Sequence, residues 1–268
     1  MKWFDPGDRS EPVLEPRKQI ESKYPGMKVP VLPPRAVVFC LGRGMPVTKE
    51  HYPCFQIMEQ LPGFITHSEV IGVEGNDGVC FLHGGYAAPQ MACTVETLRV
   101  LGVKEMFLVG LCGGFAEGLA VGDLLLPEKV LSEEGVSRHY MEDPGFARVT
   151  PPDSFAGIDS CFREKGYRVF RDAVVTTDAA YRQTYRKEQG WRELGCAGVD
   201  METSAMVNLC NLYGIRNAAA LMVSDVHPVR EGDFAWKWGG EGYAGKVERF
   251  ILDCDAFSLG KQGDGSFV

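Results

Sequence analysis

The sequence has few of the features that direct a protein to a membrane or to nucleic acid. No run of about 18 apolar residues occurs and the first twenty residues carry charges throughout, so neither a membrane-spanning helix nor a secretory signal is predicted. Lys and Arg are not clustered, and 36 acidic side chains outnumber 28 basic ones, for a net charge of −8. Because DNA, RNA and anionic membranes attract clustered positive charge, these partners are excluded and a cytoplasmic protein is expected.

The cysteines also lack a pattern. Nine are present, but no two form a CxxC pair, the spacing common in zinc and redox sites. Most lie in apolar runs and their number is odd, which is typical of reduced, buried thiols, so neither disulfides nor a metal site is predicted. With 45% apolar residues and no block of five like charges, the chain is neither disordered nor fibrous, and it has enough apolar material for one large core.

Regular structure is not expected near the N-terminus. Residues 1–35 contain seven prolines among many charges, which disfavours a helix or a central strand. We predict an irregular leader over 1–35 that lies against the body or a neighbouring subunit, followed by one domain over 36–268. Length alone would also allow two domains, but no convincing linker follows residue 36.

Three short apolar runs predict strands that are buried on both faces. They are AVVFCL at 36–41, MFLVGL at 106–111 and AAALMV at 218–223. Strands of parallel sheets have this composition, because helices cover both faces of such sheets. We therefore predict an α/β fold: a single domain with a central mixed, largely parallel twisted sheet flanked by helices.

Amphipathic segments between these runs predict the helices. One helix follows Pro89, a favourable first helical residue, and ends at Gly102. A second covers 202–214, and a third covers about 241–258. The polar tail at 261–268 is expected to be loose.

Ligands of parallel α/β sheets collect at the carboxyl ends of the strands. The glycine-rich segment from Gly110 to Gly114 ends the second apolar run. Glycines at such a place let backbone N–H groups approach an anion or a flat ring, although a tight strand-to-loop turn is the alternative. The spacing is neither GxGxxG nor that of a P-loop, so a dinucleotide or nucleoside triphosphate site is weakly supported.

Two carboxylates open the second predicted helix. Asp200 either caps that helix or has a functional role. Glu202 can accept two hydrogen bonds at once, which suits the paired hydroxyls of a ribose. Met201 between them provides either an apolar surface for the sugar or plain core packing.

Ser224 and Asp225 follow the third apolar run directly. Loss of hydration at the end of a buried strand raises the pKa of a carboxyl group, which predicts that Asp225 donates a proton at neutral pH. The alternative is a helix N-cap. His227, two residues further on, is interpreted as a loop residue that faces solvent and is not assigned to the site.

Three blocks of the sequence resemble the nucleoside phosphorylase family of the purine, uridine and methylthioadenosine type. They lie at 109–140, 176–184 and 198–225, in the family's order and approximate spacing, and the pairing of VDME with a later SD is specific. The resemblance extends over about 36–258. It implies an enzyme that breaks the bond between ribose and base and passes the sugar to phosphate or to water.

The resemblance assigns roles residue by residue. Glu202 matches the carboxylate that holds the ribose hydroxyls, and Met201 matches the methionine that packs on the sugar. Asp225 matches the acid that protonates or hydrogen-bonds the purine ring, and for that reason a purine nucleoside is favoured over uridine. The base pocket is predicted to comprise Thr177, Asp178, Ala180, Tyr181, Val199 and Asp200. Ala180 stands where many relatives have a stacking Phe.

The phosphate site of this family is matched less well. The resemblance places Gly110, Cys112, Gly113, Gly42 and Arg43 around the acceptor. The usual Arg and Ser or Thr are replaced by two leucines, Leu108 and Leu111. The leading hypothesis is phosphorolysis of a purine nucleoside. The alternative is a nucleosidase that uses water, and a uridine phosphorylase or a non-catalytic nucleoside-binding protein is less favoured.

The resemblance also implies partners. Family members are dimers, or hexamers built from dimers, in which a neighbour often completes the pocket, so a homo-oligomer is expected. Candidates for the lent side chain are His51, His67 and His139. No metal or organic cofactor is implied, and inorganic phosphate would be a co-substrate. The sequence leaves the base, the 5′ substituent, the acceptor and the type of oligomer open.

Overall fold

The predicted apolar runs form the centre of a mixed sheet. The computed structural model describes residues 8, 10–23, 25–26, 30–63 and 66–260, and within these ranges twelve strands share one hydrogen-bonded sheet. The strands are β1 Arg35–Phe39, β2 Cys54–Met58, β3 Val70–Val73, β4 Asn76–His83, β5 Glu105–Gly114, β6 Leu124–Leu125, β7 Lys129–Ser132, β8 Phe146–Arg148, β9 Val169–Phe170, β10 Ala173–Thr176, β11 Cys196–Asp200 and β12 Arg216–Val226.

Seven α-helices accompany the sheet in the same part of the chain. They are α1 Pro16–Lys23, α2 Gly44–His51, α3 Ala87–Val100, α4 Ile158–Glu164, α5 Tyr185–Glu193, α6 Thr203–Leu212 and α7 Tyr243–Ser258. Short 3-10 helices cover Val136–His139, Asp153–Phe155 and Ala180–Arg182. The three predicted helices correspond to α3, α6 and α7; α3 begins two residues before Pro89. The tail at 261–268, predicted to be loose, lies outside the described residues.

The centre of the sheet is parallel and its margins are antiparallel. Strands β4, β1, β5 and β12 run parallel side by side, and Val37 of β1 lies opposite Phe81 on one side and Phe107 on the other. Antiparallel ladders join β2 to β3, β3 to β4 and β7 to β8. Alternate residues of β1 belong to separate buried clusters on the two faces, which confirms strands buried on both sides. The predicted α/β fold is therefore confirmed.

Strand β5 is longer than predicted and includes the whole glycine segment. Its first half pairs with β1, and after Val109 the same edge pairs antiparallel with β11, so Gly113 lies opposite Val199 and Gly114 opposite Gly198. The predicted glycine loop or turn is thus wrong. Glycine is used here for close packing, because a Cβ on Gly198 would stand 2.6 Å from Leu125 Cδ1.

Strand β12 also continues past its predicted end. Its ladder with β5 shifts register between Val223 and Asp225, so Ser224 is the extra residue of a β-bulge. A bulge re-aims the side chains beside it and is common next to functional sites. Asp225 therefore lies within the strand, at its bulge, and does not follow it as a helix cap.

Helices α3 and α6 pack together on one face of the sheet, and α2 and α7 pack on the other. Apolar residues supply the packing: Met91 and Leu98 of α3 meet Met206 of α6 in one buried cluster. Phe250 and Ile251 of α7 belong to the cluster on the opposite face. The carboxyl ends of the central strands border the cavity described below.

The leader is less irregular than predicted. Helix α1 lies inside it and packs on α3, with Ile20 fully buried. Pro16 is the first residue of α1, where its missing N–H costs no hydrogen bond, so the proline-rich composition did not exclude a helix. The expectation of a leader without a helix was wrong for 16–23.

The cysteines behave as predicted. All nine are free thiols, and six of them are buried. Burial raises the pKa of the Cys112 thiol, followed by smaller contributions from the charges of Asp200 and Asp225. Among the described residues, no helix has the length and apolar character needed to cross a membrane.

Candidate active site

A cavity of about 900 Å³ opens at the carboxyl ends of the central strands. Its walls come from the ends of β1, β5, β11 and β12, from residues 180–188, and from the segment that follows β12. This is the place where parallel α/β sheets bind ligands. The cavity is therefore the candidate active site.

Most of the predicted site residues line this cavity. They are Gly42, Cys112, Gly113, Ala180, Tyr181, Val199, Asp200, Met201, Glu202 and Asp225. These residues come from segments far apart in sequence, which the fold brings together. The three sequence blocks that carried the resemblance thus meet at one site.

Four predicted residues lie outside the lining. Thr177 is fully buried and its hydroxyl donates to Glu133, while Asp178 Oδ2 accepts the Gly135 N–H at 2.7 Å. These two side chains hold the loop at 133–135 and have no place in the base pocket predicted for them. Gly110 is packed under Leu221 within the sheet, inside strand β5.

Arg43 was expected to reach an anion, and the structure places it elsewhere. Its Nη2 lies 3.4 Å from Glu248 Oε2 on α7, with both side chains exposed. Gly42 lines the cavity but Arg43 does not. The guanidinium is thus directed to a surface ion pair.

Glu202 is buried at the start of α6 and lines the cavity. Its Oε1 accepts the N–H of Ala87 at 2.6 Å. Ala87 has φ of 67°, a left-handed conformation that is unusual for a residue with a Cβ and is found at constrained functional positions. Burial raises the pKa of Glu202, and the nearby charge of Asp200 raises it further.

Two roles were predicted for Asp200, a cap of the helix or a function in the site, and the structure shows the first. Its Oδ1 accepts the Thr176 hydroxyl at 2.6 Å, and its Oδ2 accepts the Thr203 N–H at 2.8 Å together with the Thr203 hydroxyl. Both oxygens are thereby used to fasten the start of α6 to β10. Asp200 positions the helix that carries Glu202, although it also borders the cavity.

Asp225 is hydrogen-bonded on both oxygens. Its Oδ1 accepts the Ser224 hydroxyl at 2.6 Å, and its Oδ2 lies 3.0 Å from His227 Nε2 and accepts the Trp236 indole N–H at 2.7 Å. Burial raises the pKa of Asp225, but the hydrogen bonds outweigh burial and the pKa lies below its usual value. The prediction of a raised pKa was therefore wrong, because it considered desolvation alone.

His227 is the principal residue that the sequence analysis missed. It is half-buried in the cavity wall, with Nδ1 at 2.7 Å from Glu188 Oε1 and Nε2 near Asp225. Burial lowers the pKa of His227, but hydrogen bonds and charges of the two carboxylates raise it to about 9. The imidazole is thus a cation at neutral pH and does not face solvent as interpreted.

The glycine at 113 makes room for this imidazole. A Cβ at Gly113 would stand 2.5 Å from His227 Nε2, too close for any real contact. Gly113 therefore admits a side chain of the site, whereas the sequence analysis assigned it to an anion or a flat ring. The spacing Asp-x-His on one strand end was the signal that could have indicated His227, since alternate residues share a face.

Aromatic side chains form the rim. Trp236 and Trp238 follow β12 and remain 53% and 57% exposed, and Tyr86, Tyr181 and Tyr185 lie around the same cavity. The segment returns to the strand, because Trp238 forms a bridge with Asp225 and the Gly239 N–H donates to Ser224 O at 2.9 Å. Such rings suit a flat heteroaromatic ligand, in place of the Phe absent at Ala180.

The part of the cavity near β1 and the middle of β5 is apolar. Cys40, Leu41, Leu111 and Cys112 line it, and Leu108 is fully buried in the core. The cavity-lining residues in the described part of the chain include four carboxylates and one histidine but no Lys or Arg. For the two leucines that the resemblance matches to the family's phosphate residues, the described lining thus offers no basic substitute.

The comparisons with known proteins agree with the fold. The model of the phosphorylase superfamily matches residues 36–251, which is most of the chain. The chain belongs to this superfamily. The fold of this superfamily is the scaffold that holds the residues described above.

Individual relatives show which members of the superfamily this chain is similar to. The chain is 28% identical over 171 residues to a DeoD-type purine nucleoside phosphorylase of Clostridium perfringens, covering 60% of this chain and 72% of that protein. A second DeoD-type purine nucleoside phosphorylase, from Clostridium beijerinckii, is 26% identical over 175 residues, covering 62% and 73% of the two chains.

Solved structures support the same fold. Purine nucleoside phosphorylase from Toxoplasma gondii superposes with a TM-score of 0.71 at 17% identity, covering 87% of this chain and 92% of that one. AMP nucleosidase from Bacteroides thetaiotaomicron superposes with a TM-score of 0.65 at 21% identity, covering 91% and 98%. The fold is therefore shared with both phosphorolytic and hydrolytic relatives.

Proposed function

We propose that the protein cleaves the N-glycosidic bond of a purine nucleoside, with phosphate as the acceptor, as the names of the phosphorylase relatives indicate. One observation carries the proposal. The cavity combines Glu202, a buried carboxylate suited to ribose hydroxyls, with Asp225, a carboxylate that has a cationic histidine beside it. A clamp for the sugar and a source of protons for the base are two of the requirements of this reaction; the third is a site for the acceptor.

Each residue has a role in the proposed reaction. Ribose hydroxyls donate to Glu202, and Met201 provides the apolar surface beneath the sugar. Asp225, once protonated, passes this proton to the imidazole-ring nitrogen of the purine, so that the base can leave with the electron pair of the bond to C1′. A pyrimidine has no such nitrogen, which supports a purine substrate.

Hydrolysis is the second candidate, because a specific observation favours it. Phosphate dianions are held mainly by Arg and Lys, and charge-assisted hydrogen bonds from a guanidinium are about twice as strong as neutral ones. None of those side chains lines the described cavity, where Leu111 borders the acceptor region. With water as acceptor no anion site is needed, and a basic residue would otherwise have to come from a neighbouring subunit.

Several wider expectations belong to this proposal. We propose a cytoplasmic homo-oligomer of purine salvage that needs no metal or organic cofactor and has no nucleic-acid or membrane partner. Exposed rim residues such as Tyr181 and Trp238 support an oligomer, since exposed aromatic patches are typical of interfaces. A lent His51, His67 or His139 stays a prediction, and His51 Nε2 lies 3.8 Å from Glu248 in the single chain.

One assay tests the proposed function and separates its two forms. The protein is incubated with inosine, adenosine, guanosine, uridine and methylthioadenosine, with and without phosphate, and free base and sugar phosphate are measured. We expect purine release, and dependence on phosphate with formation of a ribose phosphate supports phosphorolysis. Purine release that is indifferent to phosphate would establish hydrolysis, whereas release of uracil alone, or of no base, would contradict the proposal.

A further inference from the structure

We propose that His227, held by Glu188, is the proton reserve from which Asp225 is recharged for delivery to the leaving base. The inference rests on the proposed cleavage of a purine nucleoside and deepens it. His227 acts through Asp225, and Glu188 is the positioning residue of the pair. The assignment follows from a continuous line of three side chains in the cavity wall.

The hydrogen bonds along this line fix the number of protons on the imidazole. Glu188 Oε1 lies 2.7 Å from His227 Nδ1, and Asp225 Oδ2 lies 3.0 Å from His227 Nε2. An ionised carboxylate only accepts hydrogen bonds, so two ionised carboxylates require both ring nitrogens to donate. The imidazole between them is then a cation that carries one proton more than its neutral form.

The groups that surround the imidazole complement its positive charge. Asp225 on β12 and Glu188 on α5 face it, and the adjacent strand β5 presents Gly113, which has no side chain. Arg192 on α5 is the nearest further charge, with Nη1 at 3.8 Å from Glu188 Oε2. Two carboxylates thus meet two cations, and the cluster is electrically balanced when His227 is protonated.

The other neighbours of Asp225 cannot serve as the proton reserve. Trp236 donates an indole N–H that is not released at any ordinary pH, and the Ser224 hydroxyl is likewise a weak acid. Asp225 is itself held in its ionised form, because its pKa lies below the usual value. His227 is therefore the neighbour that can supply a proton at neutral pH.

The reaction then balances in protons. The Nε2 proton of His227 moves to Asp225 and from there to the ring nitrogen of the purine. The C1′–N bond breaks, and its electron pair goes to the base. As the acceptor oxygen bonds to C1′, the acceptor releases one proton to solvent, and His227 takes up one proton from solvent, which restores its cation.

The test uses substrates that do and do not need this proton. Inosine must be protonated as it leaves, whereas the base of 7-methylinosine already carries a methyl group and a positive charge at that nitrogen. In Glu188→Gln and His227→Asn we expect kcat on inosine to fall by about 100-fold, the lower end of what proton transfer by a side chain contributes. We expect kcat on 7-methylinosine to change little, whereas a merely structural role would slow both substrates equally.

The pH profile provides an independent readout. The wild-type kcat on inosine is expected to fall as pH rises past about 9, where His227 loses its proton. Removing the negative charge of Glu188 lowers the pKa of His227, so Glu188→Gln should move this fall to lower pH. The imidazole signals of His227 followed by NMR should show the same displacement without any substrate.

Two further variants keep the test independent of folding. Gly113→Ala places a Cβ 2.5 Å from His227 Nε2 and displaces the ring while every side chain of the cluster is retained; it should reproduce the selective loss on inosine. Glu193→Gln is the matched control on α5, because Glu193 is exposed and contacts Gln189 of the same helix. Melting temperatures identify variants that fail to fold.

The outcomes separate the two proposals. If wild-type protein cleaves inosine and Glu188→Gln cleaves it equally fast, or slows both substrates alike, the proton-reserve role is wrong and the proposed function stands. If wild-type protein releases base from no purine nucleoside, both proposals are wrong. Selective loss on inosine with an unaffected Glu193→Gln supports the inference.

Discussion

The two ends of the cavity differ in kind. At the end formed by β12 and α5, Asp225, His227 and Glu188 are joined by hydrogen bonds of 2.7 and 3.0 Å and carry opposite charges. At the end formed by β1 and the middle of β5, the lining is apolar and includes Leu111, which the resemblance matches to a hydroxyl-bearing residue of the family. We call these the acid end and the acceptor end, after the roles proposed for them.

The difference shows where this chain places its buried, paired charges. A buried charge is costly unless it is paired, and at the acid end each charge has a partner. The described residues that line the acceptor end, Cys40, Leu41, Leu111 and Cys112, are uncharged, and Leu108 and Leu111 pack with the buried apolar clusters. Substitutions at the two ends should therefore have unequal effects on the reaction.

The largest effect is expected at the acid end itself. Asp225→Asn retains the shape of the side chain but cannot carry a proton to the base, so kcat on inosine should fall by about 100- to 10,000-fold. Affinity for the nucleoside should change less, as measured by equilibrium binding. Asp143→Asn, at an exposed carboxylate, is the control. Turnover at the wild-type rate in Asp225→Asn would remove this residue from the mechanism.

A smaller effect is expected at the sugar clamp between the two ends. Glu202→Ala removes the carboxylate that accepts the Ala87 N–H and is proposed to hold the ribose hydroxyls. Hydrogen bonds to charged groups contribute about 1.5–3 kcal/mol each, so the Kd for a purine riboside should rise by about 10- to 100-fold. The Kd for the free base should hardly change, and equal losses for riboside and base would contradict the clamp.

Glu202 also gives the clamp a pH dependence. Burial and the charge of Asp200 raise its pKa, so its ionised form appears at higher pH than for an ordinary glutamate. Ribose hydroxyls donate to the ionised form, and riboside affinity should therefore increase as pH rises through that range. Glu202→Gln does not titrate, and it should remove this dependence.

At the acid end and at the sugar clamp, the sequence predicted the positions of the residues but not all of their interactions. Local composition indicated the strand that carries Asp225 and the helix start that carries Glu202, because apolar runs and carboxylates at strand ends are local signals. The direction of the Asp225 pKa was not predictable, since it depends on hydrogen bonds from His227 and Trp236. Glu188 gave no signal at all, because it meets His227 across 39 positions of sequence.

Prediction of the fold from the sequence had the same limit, because contacts between distant segments gave no local signal. Strand and helix composition predicted the central sheet, but not that β5 continues through Gly113 and pairs with β11 at its far end. That pairing depends on close approach to another strand, as does the room Gly113 leaves for His227. Pro16 misled the reading of the leader because its effect on a helix depends on its position within it.

The smallest effect is expected at the acceptor end. Leu111→Ser restores a hydroxyl to the cavity wall without any guanidinium nearby, and one neutral hydrogen bond contributes about 0.5–1.5 kcal/mol. We therefore expect kcat on inosine, measured with and without phosphate, to change by no more than about tenfold. Leu212→Ser, at a half-exposed leucine at the end of α6, is the matched control for loss of apolar surface. If Leu111→Ser instead made turnover strongly dependent on phosphate, an anion site would already exist there, and the contrast between the two ends would disappear.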